Sequence, residues 1–189
     1  MKMSRRQSLG RLAGVGVGAA AVWHTGAQAA VFLELEQAQK LLAPQASSFA
    51  PLPLALDAAK LAELAAASQT QVPRGYAPRC WVAMAGAQQV GWVLADKAIG
   101  KYELIDFAAG FAADASMTGL EVMVYRESHG AEIRNPAWRR QFAGKQGPAQ
   151  LRFGDDIRNI SGATLSCQHV TEAAQRLSVI AQWLRQAHL

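Results

Sequence analysis

The segment Asp156–Leu177, DIRNISGATLSCQHVTEAAQRL, joins two kinds of pattern from which the architecture can be inferred. It passes from an irregular stretch, through Ser161-Gly162-Ala163-Thr164, into a long amphipathic pattern. From about Ala163 to Ala187 the apolar positions Val170, Ala173, Leu177, Ile180, Ala181 and Leu184 recur at intervals of three and four. That is the spacing of a helix with one buried face, and the sequence upstream supplies a sheet to bury it against.

Segments 80–85, 89–96, 102–111 and 118–126 are short apolar runs separated by turn compositions such as AADASM, which predicts an antiparallel meander of about four strands. In the last run Leu120, Val122 and Val124 are expected on one face, with Glu121, Met123 and Tyr125 on the other. Before the meander, LELEQAQKLLA (33–43) places Leu35, Ala38 and Leu42 at helical spacing, and Pro44 ends the run. Residues 45–56 carry two prolines and two serines and read as an extended connection; Asp57 then caps a second helix through about Ser68. Helices before and after an antiparallel sheet define an α+β fold: about four or more strands, N-terminal helices, and a long C-terminal helix packed on the sheet.

Residues 1–29 stand apart. Lys2, Arg5, Arg6 and Arg11 open a stretch that continues as a Gly/Ala/Val-rich run and ends in Ala27-Gln28-Ala29, the pattern of an export signal cleaved after Ala29. Ser4-Arg5-Arg6-Gln7-Ser8-Leu9 is similar to a twin-arginine signal; a general secretory signal and an uncleaved anchor are the alternatives. The expected organisation is therefore a signal at 1–29, an N-terminal helical segment at 30–76, and one domain at 77–189. At 189 residues and 51% hydrophobic composition, the chain suffices for one sizeable core.

The leader holds four basic residues and no acidic ones, so its removal leaves 15 of the 19 Lys plus Arg against 14 Asp plus Glu. A near-neutral mature chain argues against nucleic-acid binding. Cys80 and Cys167 are the only cysteines; an exported compartment permits a bridge between them, and a pair of small buried thiols is the alternative. Cys167 and His169 alone do not make a structural zinc site, and no Gly-x-Ser-x-Gly elbow or phosphate loop is present, so no metal ligands or catalytic residues are assigned.

Ser161–Thr164 lies where a helix begins. The first N–H groups of a helix lack intrahelical partners and sit at the positive end of its dipole, so they attract phosphate. Ser161 is placed to cap, Gly162 lets a ligand approach the backbone, and Thr164 presents its hydroxyl in the first turn. The long loop 128–156 follows a strand end. Glu127 and His129 are candidates to hydrogen-bond a flat ligand, and Arg126, Arg134, Arg139 and Arg140 to meet an anion; ordinary loop chemistry and solvated charge are the alternatives.

The SGATLS string (161–166) followed by a helix resembles the flavin-attachment motif of the FMN-binding domain family, found in flavoprotein subunits of Rnf-type and sodium-translocating NADH:quinone oxidoreductase complexes. GKYELIDFAAGF (100–111), GLEVMVYRESHGAEI (119–133) and WRRQFAGK (138–145) resemble that family's central sheet and the loop leading to the flavin. The resemblance implies FMN esterified through its phosphate to Thr164. Ser161, Gly162, Ala163, Leu165 and Ser166 would then surround the phosphate, and Glu127, His129 and Arg134 would face the flavin. It further implies a periplasmic electron-transfer protein, matured by a periplasmic flavin transferase and exchanging electrons with a membrane-bound redox protein. A small flavin-dependent reductase and a flavin-free interaction or assembly domain of the same fold are the other readings. One position departs from the pattern: Arg158 stands three residues before the motif serine, where the family's transferase prefers Asp.

Overall fold

The meander forms as expected and is extended on both sides. In the computed structural model, which describes residues 30–189, β3 (Arg79–Ala85), β4 (Gln88–Ile99), β5 (Leu104–Ala112) and β6 (Met117–Tyr125) pair in sequence. Two strands from the N-terminal segment complete a six-stranded antiparallel sheet of order β1-β6-β5-β4-β3-β2, with β1 at Ala30–Val31 and β2 at Ser48–Leu52. The export signal expected at 1–29 lies outside the described residues.

β2 corrects the expectation of an extended connection that forms no element. Pro51 pairs with Trp81, and proline is tolerated there because β2 is the last strand of the sheet, so a missing N–H interrupts no second ladder. The segment 30–76 is thus helical only in part: α1 (Leu35–Leu42) and α2 (Ala58–Ser68) alternate with β1 and β2. Asp57 caps α2 as predicted, its Oδ1 accepting the Lys60 N–H at 2.8 Å.

The sheet is covered on both faces. On one face lies α4 (Thr164–Gln186), whose residues Val170, Ala173, Leu177, Ile180 and Ala181 are buried among Trp92, Phe107 and Phe111. Each of these aromatics is at most 2% exposed. Burial of such a side chain contributes about 1.5–3 kcal/mol, so this layer supplies much of the stability. The other face holds a smaller cluster in which Ala38 and Leu42 of α1 pack against Val93, Ala95, Ala108 and Met123.

The pairing of β6 with β5 is interrupted near its end. Asp106 pairs with Val124, but the next residue, Phe107, pairs with Val122, so Met123 is the extra residue of a bulge. The strict alternation expected for this strand therefore breaks. Leu120, Val122 and Tyr125 join the cluster under α4, whereas Met123 and Val124 turn to the α1 side. The bulge aims Tyr125 at the start of α4.

β4 outruns β3, since its pairing with that strand stops at Ala95. The edge at 96–99 is blunted locally: Asp96 Oδ1 accepts the Lys97 N–H at 2.7 Å, and His169 Nδ1 lies 2.8 Å from the Ile99 carbonyl. That contact requires the proton on Nδ1, which makes His169 a pin between α4 and the β4–β5 turn.

Candidate functional site at the start of helix α4

Helix α4 starts one residue later than the composition suggests, and that shift defines the site. Its N-cap is Ala163, with φ −122° and ψ 22°, and no side chain caps the first turn. Ser161, expected to cap, is instead exposed in the turn before the helix. A buried methyl rather than a hydroxyl occupies the cap position because Ala163 packs into the core at 3% exposure. The N–H groups of the first turn consequently have no capping oxygen from the protein, the condition under which a helix start receives an anion.

Gly162 has φ 88°, and nothing lies within 4 Å of where a β-carbon would stand, so open space adjoins the turn. Thr164 is exposed, and its Oγ1 accepts a hydrogen bond from Asn159 Nδ2 at 3.0 Å. Leu165 is 42% exposed beside it, while Ser166 and Cys167 turn inward, at 5% and 0%. The hydroxyl of the motif threonine is therefore held in a defined position and reachable.

The segment before the motif is braced by residues from the long loop. Trp138 Nε1 donates to the Arg158 carbonyl at 2.8 Å, and Gln141 Oε1 accepts the Arg158 N–H at 2.8 Å. Trp138, in the short helix α3 (Pro136–Arg139), is buried edge-to-face on Phe142, with ring centroids 5.1 Å apart. Its work is structural. Arg158 itself stays exposed.

Tyr125 ties the loop to the helix. Its hydroxyl donates to the His129 carbonyl and lies 3.3 Å from Ser166 Oγ. Gly130, with φ 87°, has no room for a side chain: a β-carbon would stand 2.6 Å from Tyr125 Oη and 3.4 Å from Ala163 Cβ. The backbone at 129–130 thus lies directly on the first turn of α4. His129 is exposed, its Nδ1 2.9 Å from Ser128 Oγ.

Glu127 and Arg134 have partners within the protein. Glu127 Oε1 accepts the backbone N–H groups of Tyr102 and Glu103, closing the β4–β5 turn. Burial alone would push this carboxyl up, but those N–H groups and Lys101 outweigh it and hold it below its ordinary value. Arg134 stacks its guanidinium over Phe32, 3.3 Å from the ring centroid. Arg126 pairs with Asp106, and Arg139 with Glu121. Arg140 is exposed. The structure thus gathers Ser161–Ser166, His129 and the turn held by Glu127 at one end of α4. Sequence reasoning missed two residues that build this end: Asn159 and Tyr125. A polar side chain five residues before Thr164 was the visible signal for the first; the bulge that aims the second left none.

Cys80 and Cys167 are both free and buried, and burial pushes their thiols up to about 12 and about 11, so neither is a nucleophile. Among the described residues no group of three or more His, Cys, Asp or Glu side chains could hold a metal ion.

Residues 100–178 match the FMN-binding domain family. The match runs from the β4–β5 turn through β5, β6 and the long loop into α4, and so takes in the helix start together with the loop that braces it. It is the family that the SGATLS string resembles, and the matched segment suggests a flavin-binding protein. No curated protein matches the chain. The residues present fit the cofactor of that domain: an uncapped helix start for a phosphate, a reachable threonine hydroxyl, and open space above Gly162.

Proposed function

We propose that the protein is an exported electron-transfer flavoprotein in which FMN is joined to Thr164 by a phosphoester. The observation that carries this is the exposed Thr164 hydroxyl, positioned by Asn159 at a helix start that no side chain caps. First-turn N–H groups would receive the phosphate oxygens, with Gly162 leaving the approach clear and Asn159 setting the threonine rotamer. The cofactor, when bound, supplies one- and two-electron redox chemistry, and the protein supplies position and electrostatics. A covalent bond makes occupancy independent of free flavin concentration, which suits a compartment where released FMN is diluted. A membrane-bound redox protein is the partner proposed, and a flavin transferase acting outside the cytoplasm is the maturation factor.

The test is the intact mass of protein produced together with a flavin transferase. Native protein is expected to gain the mass of FMN less water, on the peptide containing Thr164. Thr164→Val is expected to lose acid-stable flavin completely while keeping its circular dichroism. Acid-stable flavin on that variant, or a colourless native protein of unmodified mass, would overturn the reading.

A further inference from the structure

A cleft of about 1190 Å³ wraps the free end of β4, bounded on one side by the loop at 71–77 and the third and fourth turns of α4 and on the other by the segment at 31–35. It does not include Thr164, Leu165 or any residue of 127–134. Arg176 is twelve residues along α4 from Thr164, a rise of roughly 18 Å at 1.5 Å per residue. This is a different place from the attachment point.

Part of its lining is polar and incompletely paired. Five buried side-chain polar atoms lack a hydrogen-bond partner among the described residues, and four of them belong to residues lining this cleft: Tyr76 Oη, Asp96 Oδ2, Asp106 Oδ1 and Arg176 Nε. Tyr76 and Arg176 are only 7% and 4% exposed. Arg176 is fixed from behind, its Nη1 donating to the Gln71 carbonyl at 2.9 Å, and its guanidinium lies over the Tyr76 ring at 5.4 Å. The Tyr76 hydroxyl is within loose hydrogen-bonding reach of both Asp96 and Arg176, and Asp96 also interacts with the Arg176 charge, so the three form one partly paired cluster. A buried polar atom left poorly paired costs about 1–3 kcal/mol, so a ligand group that completes the pairing of this cluster would stabilise it. The cleft is far larger than the ~30 Å³ share of one water. Large apolar pockets with a few convergent polar groups are where small ligands bind.

The geometry points to a binding site for a planar aromatic ring carrying a hydroxyl or carbonyl oxygen, with that oxygen on Tyr76, Asp96 and Arg176 and the ring on Val72, Pro73 and Ala98. An oxygen of this type accepts from Arg176 Nε–H and from the Tyr76 hydroxyl; as a hydroxyl it also donates to Asp96 Oδ2. Two sources could present such a ring: a separate small molecule, or the carbonyl-bearing ring system of the flavin proposed at Thr164. Only the second source rests on the proposed function.

The probe is 2-naphthol, with naphthalene as the control lacking oxygen, titrated calorimetrically into the full flavin-free Thr164→Val chain. One 2-naphthol per chain is expected, at least tenfold tighter than naphthalene. Tyr76→Phe and Asp96→Asn are each expected to weaken it about tenfold with unchanged circular dichroism, about 1.4 kcal/mol. Repeating the titration on flavin-loaded protein separates the sources: blocked binding assigns the site to the tethered ring, and retained binding assigns it to a separate molecule, the site standing in either case. No binding, equal binding of naphthalene, or folded variants that bind as well as the parent would overturn the proposal. Because the first titration uses flavin-free protein, its failure is distinct from failure to carry flavin.

Discussion

At the scale of single residues, the start of α4 depends on a contact where no side chain fits. Gly130 combines a positive φ with a would-be β-carbon 2.6 Å from the end of the rigid Tyr125 ring, so any substitution must both strain the backbone and displace Tyr125. Gly130→Ala is expected to lose about 1–3 kcal/mol of stability, read as a lower urea midpoint. It is also expected to lower flavin loading, because the loop at 129–130 packs on Ala163. A variant with the parent's midpoint would show that this contact is slack. Glu127 shows a related lesson: one oxygen of a carboxylate that looks free to meet a ligand accepts the N–H groups of Tyr102 and Glu103.

At the scale of elements, the bulge at Met123 and the first turn of α4 form one device. The bulge brings Tyr125 to the α4 face, and its hydroxyl then spans the His129 carbonyl and Ser166. Tyr125→Phe keeps the ring in the core and removes only that link. The expected cost is about 1 kcal/mol of stability, measured by urea unfolding, together with reduced flavin incorporation at fixed transferase concentration. Equal incorporation would mean that the loop is held without it. The strands of the meander and the amphipathic face of α4 were legible in the sequence because period-two and period-3.6 patterns are local. β2 and the bulge were not: an edge strand tolerates proline, and a bulge is defined only by the partner strand's register.

At the scale of the whole molecule, the Tyr76–Asp96–Arg176 cluster joins three distant parts of the chain: the loop after α2, the free end of β4 and the middle of α4. Burial pushes the Asp96 carboxyl above its ordinary 3.8, and the Lys97 N–H, Arg176 and Tyr76 offset this only in part. A carboxyl raised in the folded state holds its proton longer there than in the unfolded chain. Its contribution to stability is complete below 3.8 and is lost as pH rises through the folded value. Asp96→Asn is therefore expected to match the parent near pH 3.8 and to be the more stable of the two at about pH 8, compared by urea midpoints at both pH values. A parent at least as stable as the variant at the higher pH would show that Arg176 fully compensates the charge.

The α+β class, the four-strand meander, the long C-terminal helix and the SGATLS motif at its start are all legible in the chain, because each is written in short-range periodicity or in contiguous residues. Only the tertiary structure decided that Ala163 rather than Ser161 ends the turn, that Asn159 holds Thr164, that Glu127 and Arg134 are engaged by the protein, and that Tyr76, Asp96 and Arg176 meet. Most of those outcomes depend on contacts between residues far apart in the chain, set by strand register and by competition for burial, which no local pattern encodes.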